Sequence, residues 1–246
     1  VPYGMFLVTG PTGSGKTTTL FACLRTLDLL EKNVLTAEDP IEYSLPLVRQ
    51  TQVHEEIGYT FAKAIRHFLR QDPDVILVGE IRDEETAQMA VRASLTGHLF
   101  LSTLHTNDAL SAIFRLRDLG ISPDMLSSTL RGVLSQRLIR KNCPYCKEEY
   151  KPEPQLLKYY ELPEDHLYYR GKGCEACRFK GYLGRTVVAE IFYIDEDFVK
   201  LLSKDATFPE FLELAKSKDI KFLSDDAKRK VLEGITTVEE IKRVIG

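Results

Sequence analysis

Eight consecutive residues, Gly10-Pro11-Thr12-Gly13-Ser14-Gly15-Lys16-Thr17, carry the spacing of a phosphate-binding loop. Its glycines let backbone N–H groups converge on a phosphate without Cβ clashes. A helix starting at the end of the loop adds its positive pole at the same point. Lys16 then reaches the outer phosphates, the Thr17 hydroxyl is placed to ligate Mg²⁺, and Thr18 continues the cofactor-binding stretch.

Acidic and imidazole side chains recur downstream at places where such a loop needs them. Glu38-Asp39-Pro40-Ile41-Glu42 follows a short apolar run and reads either as a solvated acidic loop or as a site element, with Glu42 the site candidate. Glu80 closes Val75-Ile76-Leu77-Val78-Gly79-Glu80. Gly79 stands where an aspartate more commonly holds Mg²⁺, so Glu80 is the candidate to orient or deprotonate an attacking water. Arg82 follows, able to serve the site in cis or in trans. His105 ends Leu99–Leu104 and is placed to sense a γ-phosphate. Arg66 and Arg70, four apart, share a helix face that is either merely solvated or a phosphate clamp offered to a neighbouring subunit. His98 has a weaker claim, and His54, His67 and His166 have no clear one.

Four of the five cysteines form two C-x-x-C pairs, Cys143/Cys146 and Cys174/Cys177, separated by residues 147–173. Each pair can present two thiolates to one tetrahedral Zn²⁺, and four thiolates leave no open position, so the metal would be structural. A redox dithiol is the competing reading. Pro152, Pro154, Pro163 and Gly171 let the intervening segment loop out and return. Cys23, among Leu20, Phe21, Leu24 and Leu27, reads as a small apolar core residue.

The elements that must position these groups follow from periodicity. Met5–Val8, Asn33–Ala37, Val75–Val78 and Leu99–Leu104 read as buried parallel strands, and a helix is expected over Thr18–Leu30. Helical spacing recurs over Thr60–Leu69 and Glu84–Ala93, and Thr106-Asn107-Asp108 caps a further helix. Arg185–Tyr193 reads as a strand. Beyond Asp195, apolar stripes at Phe198/Leu201/Leu202, Phe211/Leu212/Leu214/Ala215, Phe222/Ala227/Val231/Leu232 and Val238/Ile241/Val244/Ile245 mark short helices. These stripes serve either internal packing or a docking face. Strands alternating with helices make the fold class α/β. Three regions are expected: a nucleotide-binding core at 1–140, a small four-cysteine zinc subdomain at 141–192 and a C-terminal helical subdomain at 193–246.

The 246 residues are 43% hydrophobic and 28% charged, with a net charge of −3. Those are the proportions of a globular protein, and no bulk basic surface advertises nucleic acid. No apolar run is long enough to span a bilayer, so a membrane role would act through partners. Val1 leads almost at once into a strand, which suggests that the chain continues a longer protein.

In this order the pieces resemble the secretion-type ATPases of type II secretion and type IV pilus assembly. The resemblance rests on the phosphate-binding loop, the acidic box Thr36–Tyr43, Arg70-Gln71-Asp72-Pro73-Asp74, Gly79-Glu80-Ile81-Arg82-Asp83 and the histidine box Thr96–Asn107. It implies a RecA-like P-loop NTPase core, hydrolysis of ATP with Mg²⁺, and a homo-hexamer. It also implies that Glu42 and Glu80 act on water and Mg²⁺, and that Arg66, Arg70 or Arg82 support phosphates at a boundary. Lys63 stands where relatives often carry another arginine, and Val53–Gly58 departs from the usual Asn-Pro-Arg type of segment. The four cysteines point to export or pilus extension, since retraction-type relatives generally lack them. Further implications are an inner-membrane platform protein and a cytoplasmic adaptor domain as partners, a cytoplasmic place at the inner membrane, and an additional domain preceding this region. The competing readings are a nucleic-acid translocase of RecA-like fold and a nucleotide-gated assembly scaffold.

Overall fold

The computed structural model describes residues 3–246; Val1 and Pro2, at the head of the expected 1–140 core, lie outside the described residues. The first half alternates strand and helix: Gly4–Thr9 (β1), Lys16–Leu24 (α1), Val34–Glu38 (β2), Arg49–Gln52 (β3), Phe61–Phe68 (α2), Val75–Val78 (β4), Glu84–Leu95 (α3), Leu99–Leu104 (β5) and Ala109–Asp118 (α4). Then come Pro123–Thr129 (α5), Leu130–Asn142 (β6), Lys147–Tyr150 (β7), Pro154–Tyr159 (α6), Tyr168–Gly171 (β8) and Tyr182–Tyr193 (β9). Four helices close the chain: Glu196–Ser203 (α7), Phe208–Ser217 (α8), Leu223–Leu232 (α9) and Val238–Ile245 (α10).

Seven strands form one sheet in the order β3-β2-β4-β5-β1-β6-β9, and β7 pairs with β8 in a separate antiparallel ribbon. The pairs β1–β5, β1–β6, β2–β3, β2–β4 and β4–β5 are all parallel. Parallel strands are covered on both faces, and this explains why β4 is continuously apolar and buried at every position. The helices begin where polar side chains take up orphan N–H groups: Thr60 before α2, Asp83 before α3 and Asp108 before α4 each accept from the backbone three residues on.

Some elements depart from expectation. The first helix stops at Leu24, well short of Leu30. Thr26 Oγ1 donates to the Cys23 carbonyl at 2.7 Å and Asp28 Oδ1 accepts from the Leu30 N–H at 3.1 Å. These local bonds compete with the helical ladder. The edge strand β3 is polar (Arg-Gln-Thr-Gln) and β6 is mixed, so neither announces itself by periodicity. The last long strand begins at Tyr182 rather than Arg185.

Contacts divide the chain into two compact units. The first holds the described residues up to Thr12, Lys16–Ser135 and Ile191–Ile220; the second holds Gly13–Gly15, Gln136–Glu190 and Lys221–Gly246. The first unit has a core that includes Val8, Phe21, Leu24, Leu77 and Leu101. In it Phe211 of α8 meets Phe114 of α4 edge-on at 5.8 Å and stacks on Phe198 of α7 at 6.2 Å. The second unit has its own core, including Ile139, Tyr168, Val188, Val231 and Ile241. Phe198, Phe211, Ala227, Val238 and Ile241 are fully buried, so the apolar stripes of the last four helices serve packing. No helix among the described residues is long and apolar enough to cross a membrane.

Within the second unit, α10 is fastened to β6 by a buried acid. Glu240 is fully buried and accepts from the Arg140 backbone N–H at 2.8 Å and from the Arg140 and Arg243 guanidiniums at 2.6–2.9 Å. Burial pushes the Glu240 carboxyl up, but Arg243 and Arg140 outweigh it and bring it down to about 2. A carboxyl depressed by folding contributes stability that is complete above its ordinary range and is lost as pH falls toward the folded value. Glu240→Gln is therefore expected to cost about 3 kcal/mol at pH 7. The deficit should be smaller at pH 3, as read by chemical denaturation of both proteins at each pH.

Candidate nucleotide site and cysteine cluster

The loop between β1 and α1 turns on three glycines in conformations that side chains rarely adopt: Gly10, Gly13 and Gly15 have φ of 139°, 76° and 89°. Lys16, the first residue of α1, donates from Nζ to the Gly10 carbonyl at 2.8 Å and the Pro11 carbonyl at 3.1 Å. Partial burial lowers its ammonium from the usual lysine range, and attraction to Glu80 opposes that. A half-desolvated cation beside the mouth of a glycine loop is suited to an anionic ligand. Thr17 is partly buried and Thr18 exposed.

Glu80 is set by the strand register. Val78 of β4 lies opposite Ser102 of β5, and Val8 of β1 lies opposite Thr103, so the carboxyl ends of the three strands share one edge. Two β5 hydroxyls peg the end of β4: Ser102 Oγ donates to the Val78 carbonyl at 2.8 Å and Thr103 Oγ1 to the Gly79 carbonyl at 2.7 Å. The Thr103 carbonyl in turn accepts from the Ile81 N–H at 3.0 Å. A Cβ built at Gly79 would stand 3.4 Å from the Phe61 ring and 3.6 Å from the Ala37 carbonyl, both ordinary contact distances.

The Glu80 carboxylate is held from two sides. One oxygen lies 3.1 Å from His105 Nε2, and the other pairs closely with the Arg82 guanidinium. Burial pushes this carboxyl up, but Arg82 and His105 outweigh it and keep it below the usual carboxylate range. Arg82 is itself bracketed, with Asp39 and Glu55 oxygens each 3.6 Å away and its guanidinium 5.9 Å from the centre of the Phe61 ring. Glu80 chiefly, then burial and the other two acids, set its net shift, which is upward.

Other candidates lie apart from this group. Glu42 is exposed, and among the described residues nothing pairs with it. In the same acidic box it is Glu38 that is buried, accepting from Thr36 Oγ1 at 2.6 Å and Gln50 Nε2 at 2.9 Å. Arg66 pairs with Glu85 at 3.2 Å on an exposed face, and Arg70 is exposed without an ion pair among the described residues. His98 Nδ1 lies 2.9 Å from the Ala93 carbonyl and 3.0 Å from Thr96 Oγ1, a helix-end contact. Sequence reasoning passed over Asp39 and Glu55 as partners for Arg82, and over the two β5 hydroxyls. Only the serine and threonine within an otherwise apolar β5 hinted at the latter.

The four paired cysteines meet in the second unit. Cys143–Cys174, Cys146–Cys177 and Cys174–Cys177 sulfurs are 3.8 Å apart, and all four lie within 4.8 Å of one another. A tetrahedron with metal–sulfur bonds of about 2.3 Å has edges of about 3.8 Å, so the spacing fits one zinc-sized ion. Backbone N–H groups already face the sulfurs: Gly173 donates to Cys146 at 3.2 Å, Cys174 to Cys177 at 3.2 Å and Gly181 to Cys177 at 3.3 Å. The pairs are brought together by backbone crossing at two glycines, since a Cβ on Gly171 would overlap the Gly181 carbonyl. The 147–173 segment does loop out and return, through β7, α6 and β8.

Comparison with known proteins gives one consistent group. The family model described as type II/IV secretion system protein matches residues 1–243. The type IV pilus assembly ATPase PilB of Thermus thermophilus is 49% identical over 98% of this chain, and type II secretion system protein E of Pseudomonas aeruginosa is 51% identical over 99%. This chain spans 27% of the first and 49% of the second. Among solved structures, the pilus retraction motor PilT with bound ADP is similar with a TM-score of 0.74 at 29% identity, covering 98% of this chain and 61% of that one. The ATPase DotB of Legionella pneumophila has a TM-score of 0.70 at 25% identity, covering 99% and 60%.

The pegs on β4 are open to direct test. Thr103→Val keeps the shape of a buried residue but leaves the Gly79 carbonyl without its hydroxyl donor. It is expected to lower unfolding stability by about 1 kcal/mol, measured by urea denaturation.

Proposed function

The chain belongs to the type II/IV secretion system protein family, and we propose that it is the ATP-hydrolysing part of a motor for type II secretion or type IV pilus assembly. The observation that carries this reading is the meeting of Glu80, His105 and Arg82 at the sheet edge where the phosphate-binding loop leaves β1. In the reaction a water oxygen bonds to the γ-phosphorus, the bond from that phosphorus to the β–γ bridging oxygen breaks, and ADP leaves. Loop N–H groups and Lys16 hold the phosphates. Mg²⁺, when bound through Thr17, neutralises phosphate oxygens. Glu80 orients the water and takes its proton, which its ionised state allows.

Glu80 can accept from water beside its two present partners or by exchanging one of them, since each carboxylate oxygen has a second lone pair. Arg82 has other acceptors 3.6 Å away in Asp39 and Glu55, so it is the one with somewhere to go. His105 then holds Glu80 and reports on the γ-phosphate. Glu42, exposed on the acidic box, serves Mg²⁺ or water once nucleotide is bound. Arg66 and Arg70, on an exposed face of α2 and just beyond it, serve a phosphate at a subunit boundary. A homo-hexamer at the cytoplasmic face of the inner membrane, working with a platform protein and an adaptor domain, is the assembly we propose; the relatives' names support only that the chain works in a secretion or pilus-assembly system. The four cysteines hold a structural Zn²⁺, which ties the returning ends of the 147–173 segment together. They favour export or extension, as does the greater identity to PilB and protein E than to PilT.

Glu80→Gln tests the reading. It is expected to lower ATP turnover by about a hundredfold or more while ADP and ATP still bind, measured on the full-length protein. Normal turnover would remove Glu80 from the role. For the metal, atomic absorption is expected to find about one zinc per chain. Cys146→Ser should lose it together with several degrees of melting temperature.

A further inference from the structure

We propose that Gln136, on β6, is a positioning residue for nucleotide, setting the direction of the Gly15 N–H in the phosphate-binding loop. The inference rests on the reading that this loop binds phosphates. Gln136 is 1% exposed, and its Nε2 donates to the Ser14 carbonyl at 2.8 Å. Ser14 is itself 3% exposed, so bulk water is not a competing donor there. Because the partner is a carbonyl, the amide nitrogen and not the amide oxygen faces the loop.

The consequence follows from peptide geometry. The unit joining Ser14 to Gly15 is planar and trans, so its C=O and its N–H point in opposite directions. Holding the Ser14 carbonyl on Gln136 turns the Gly15 N–H to the far side, away from the carboxamide. Converging N–H groups of this kind are what an anion-binding loop offers. Gly15 suits this turn because its φ is +89°, and a Cβ there would stand 3.3 Å from Gln136 Nε2, a close approach of amide to loop. A glycine peptide is also the one most free to rotate, so it gains most from an external hold. Lys16 and Thr17 grip the nucleotide by side chains; Gln136 acts through the backbone and touches no phosphate.

Two variants separate this role from plain packing. In Gln136→Glu the carboxylate faces a carbonyl and cannot donate, whereas the protonated acid can. Binding of Mg·ADP at pH 8 is expected to be at least about tenfold weaker than in the wild type. The deficit should shrink as pH falls toward 6, because burial raises a carboxyl's titration range. Gln136→Met has no proton to regain, so its deficit should stay constant over the same range. The wild type carries the titration of Lys16, Glu80 and the diphosphate, and each variant is expressed as a ratio to it. Binding by Gln136→Glu within twofold of wild type at pH 8, or a deficit that does not shrink on acidification, overturns the proposal. A measurement on the unaltered full-length protein covers poor folding of the variants: the Gly15 amide proton should move strongly downfield when ADP binds, and an unmoved resonance overturns the proposal. Failure of the wild type to bind ADP at all would instead count against the functional reading.

Discussion

Everything at the candidate site depends on a level parallel ladder. Because β1, β4 and β5 run the same way in adjoining register, the residue after each strand emerges on one edge. Chain positions as distant as Gly10, Glu80 and His105 become neighbours without any contact designed between their segments. The strands themselves carry almost no chemistry. They are buried on both faces, and their uniform apolar character is the condition for the ladder. What chemistry they do carry is structural: the Ser102 and Thr103 hydroxyls stop the end of β4 from shifting along its neighbour.

On that edge, charge is balanced rather than accumulated. Glu80 meets one permanent cation and one imidazole, and Arg82 meets three carboxylates. Partly exposed pairs of this kind add little to stability. Their effect is on state: Glu80 stays ionised although burial opposes it, and Arg82, paired most closely with Glu80, has two further acceptors each 3.6 Å away. A site built so can exchange partners at small cost when a highly charged ligand arrives. The glutamate that gives the second unit its firmest tie, Glu240, is the opposite case, with every oxygen committed and no exposure at all.

Much of this was legible in the amino-acid order, for reasons that differ by element. β4 and the loop after β1 declare themselves, because a buried parallel strand must be apolar and a phosphate loop must have its glycines. The cysteine cluster was legible from spacing, and the sulfur separations fit the expected tetrahedron. The edge strand β3 was not, because Arg49–Gln52 owes its strand state to β2 alone and has no apolar face to show. The end of α1 is hidden because Leu27 and Leu30 continue the helical spacing, while Thr26 and Asp28 divert the backbone. In the acidic box the resemblance singled out Glu42, which is exposed; that Glu38 is buried and that Asp39 lies beside Arg82 was not legible, because both depend on neighbours far along the chain. Gln136 lay beyond reach altogether: a lone amide in a strand says nothing of a carbonyl 122 positions earlier.

The strand that carries the loop is flanked on one side by β5 and on the other by β6. During synthesis β1 leaves the ribosome first among the three, yet its neighbours are separated from it by most of the first half of the chain. Until residues 130–142 emerge, its second edge is bare and the loop tip has no amide to rest on. Nascent chains of this design therefore carry an exposed apolar strand for many seconds at ordinary elongation rates. The nucleotide pocket is therefore incomplete until Gln136 has emerged, more than a hundred residues after its loop.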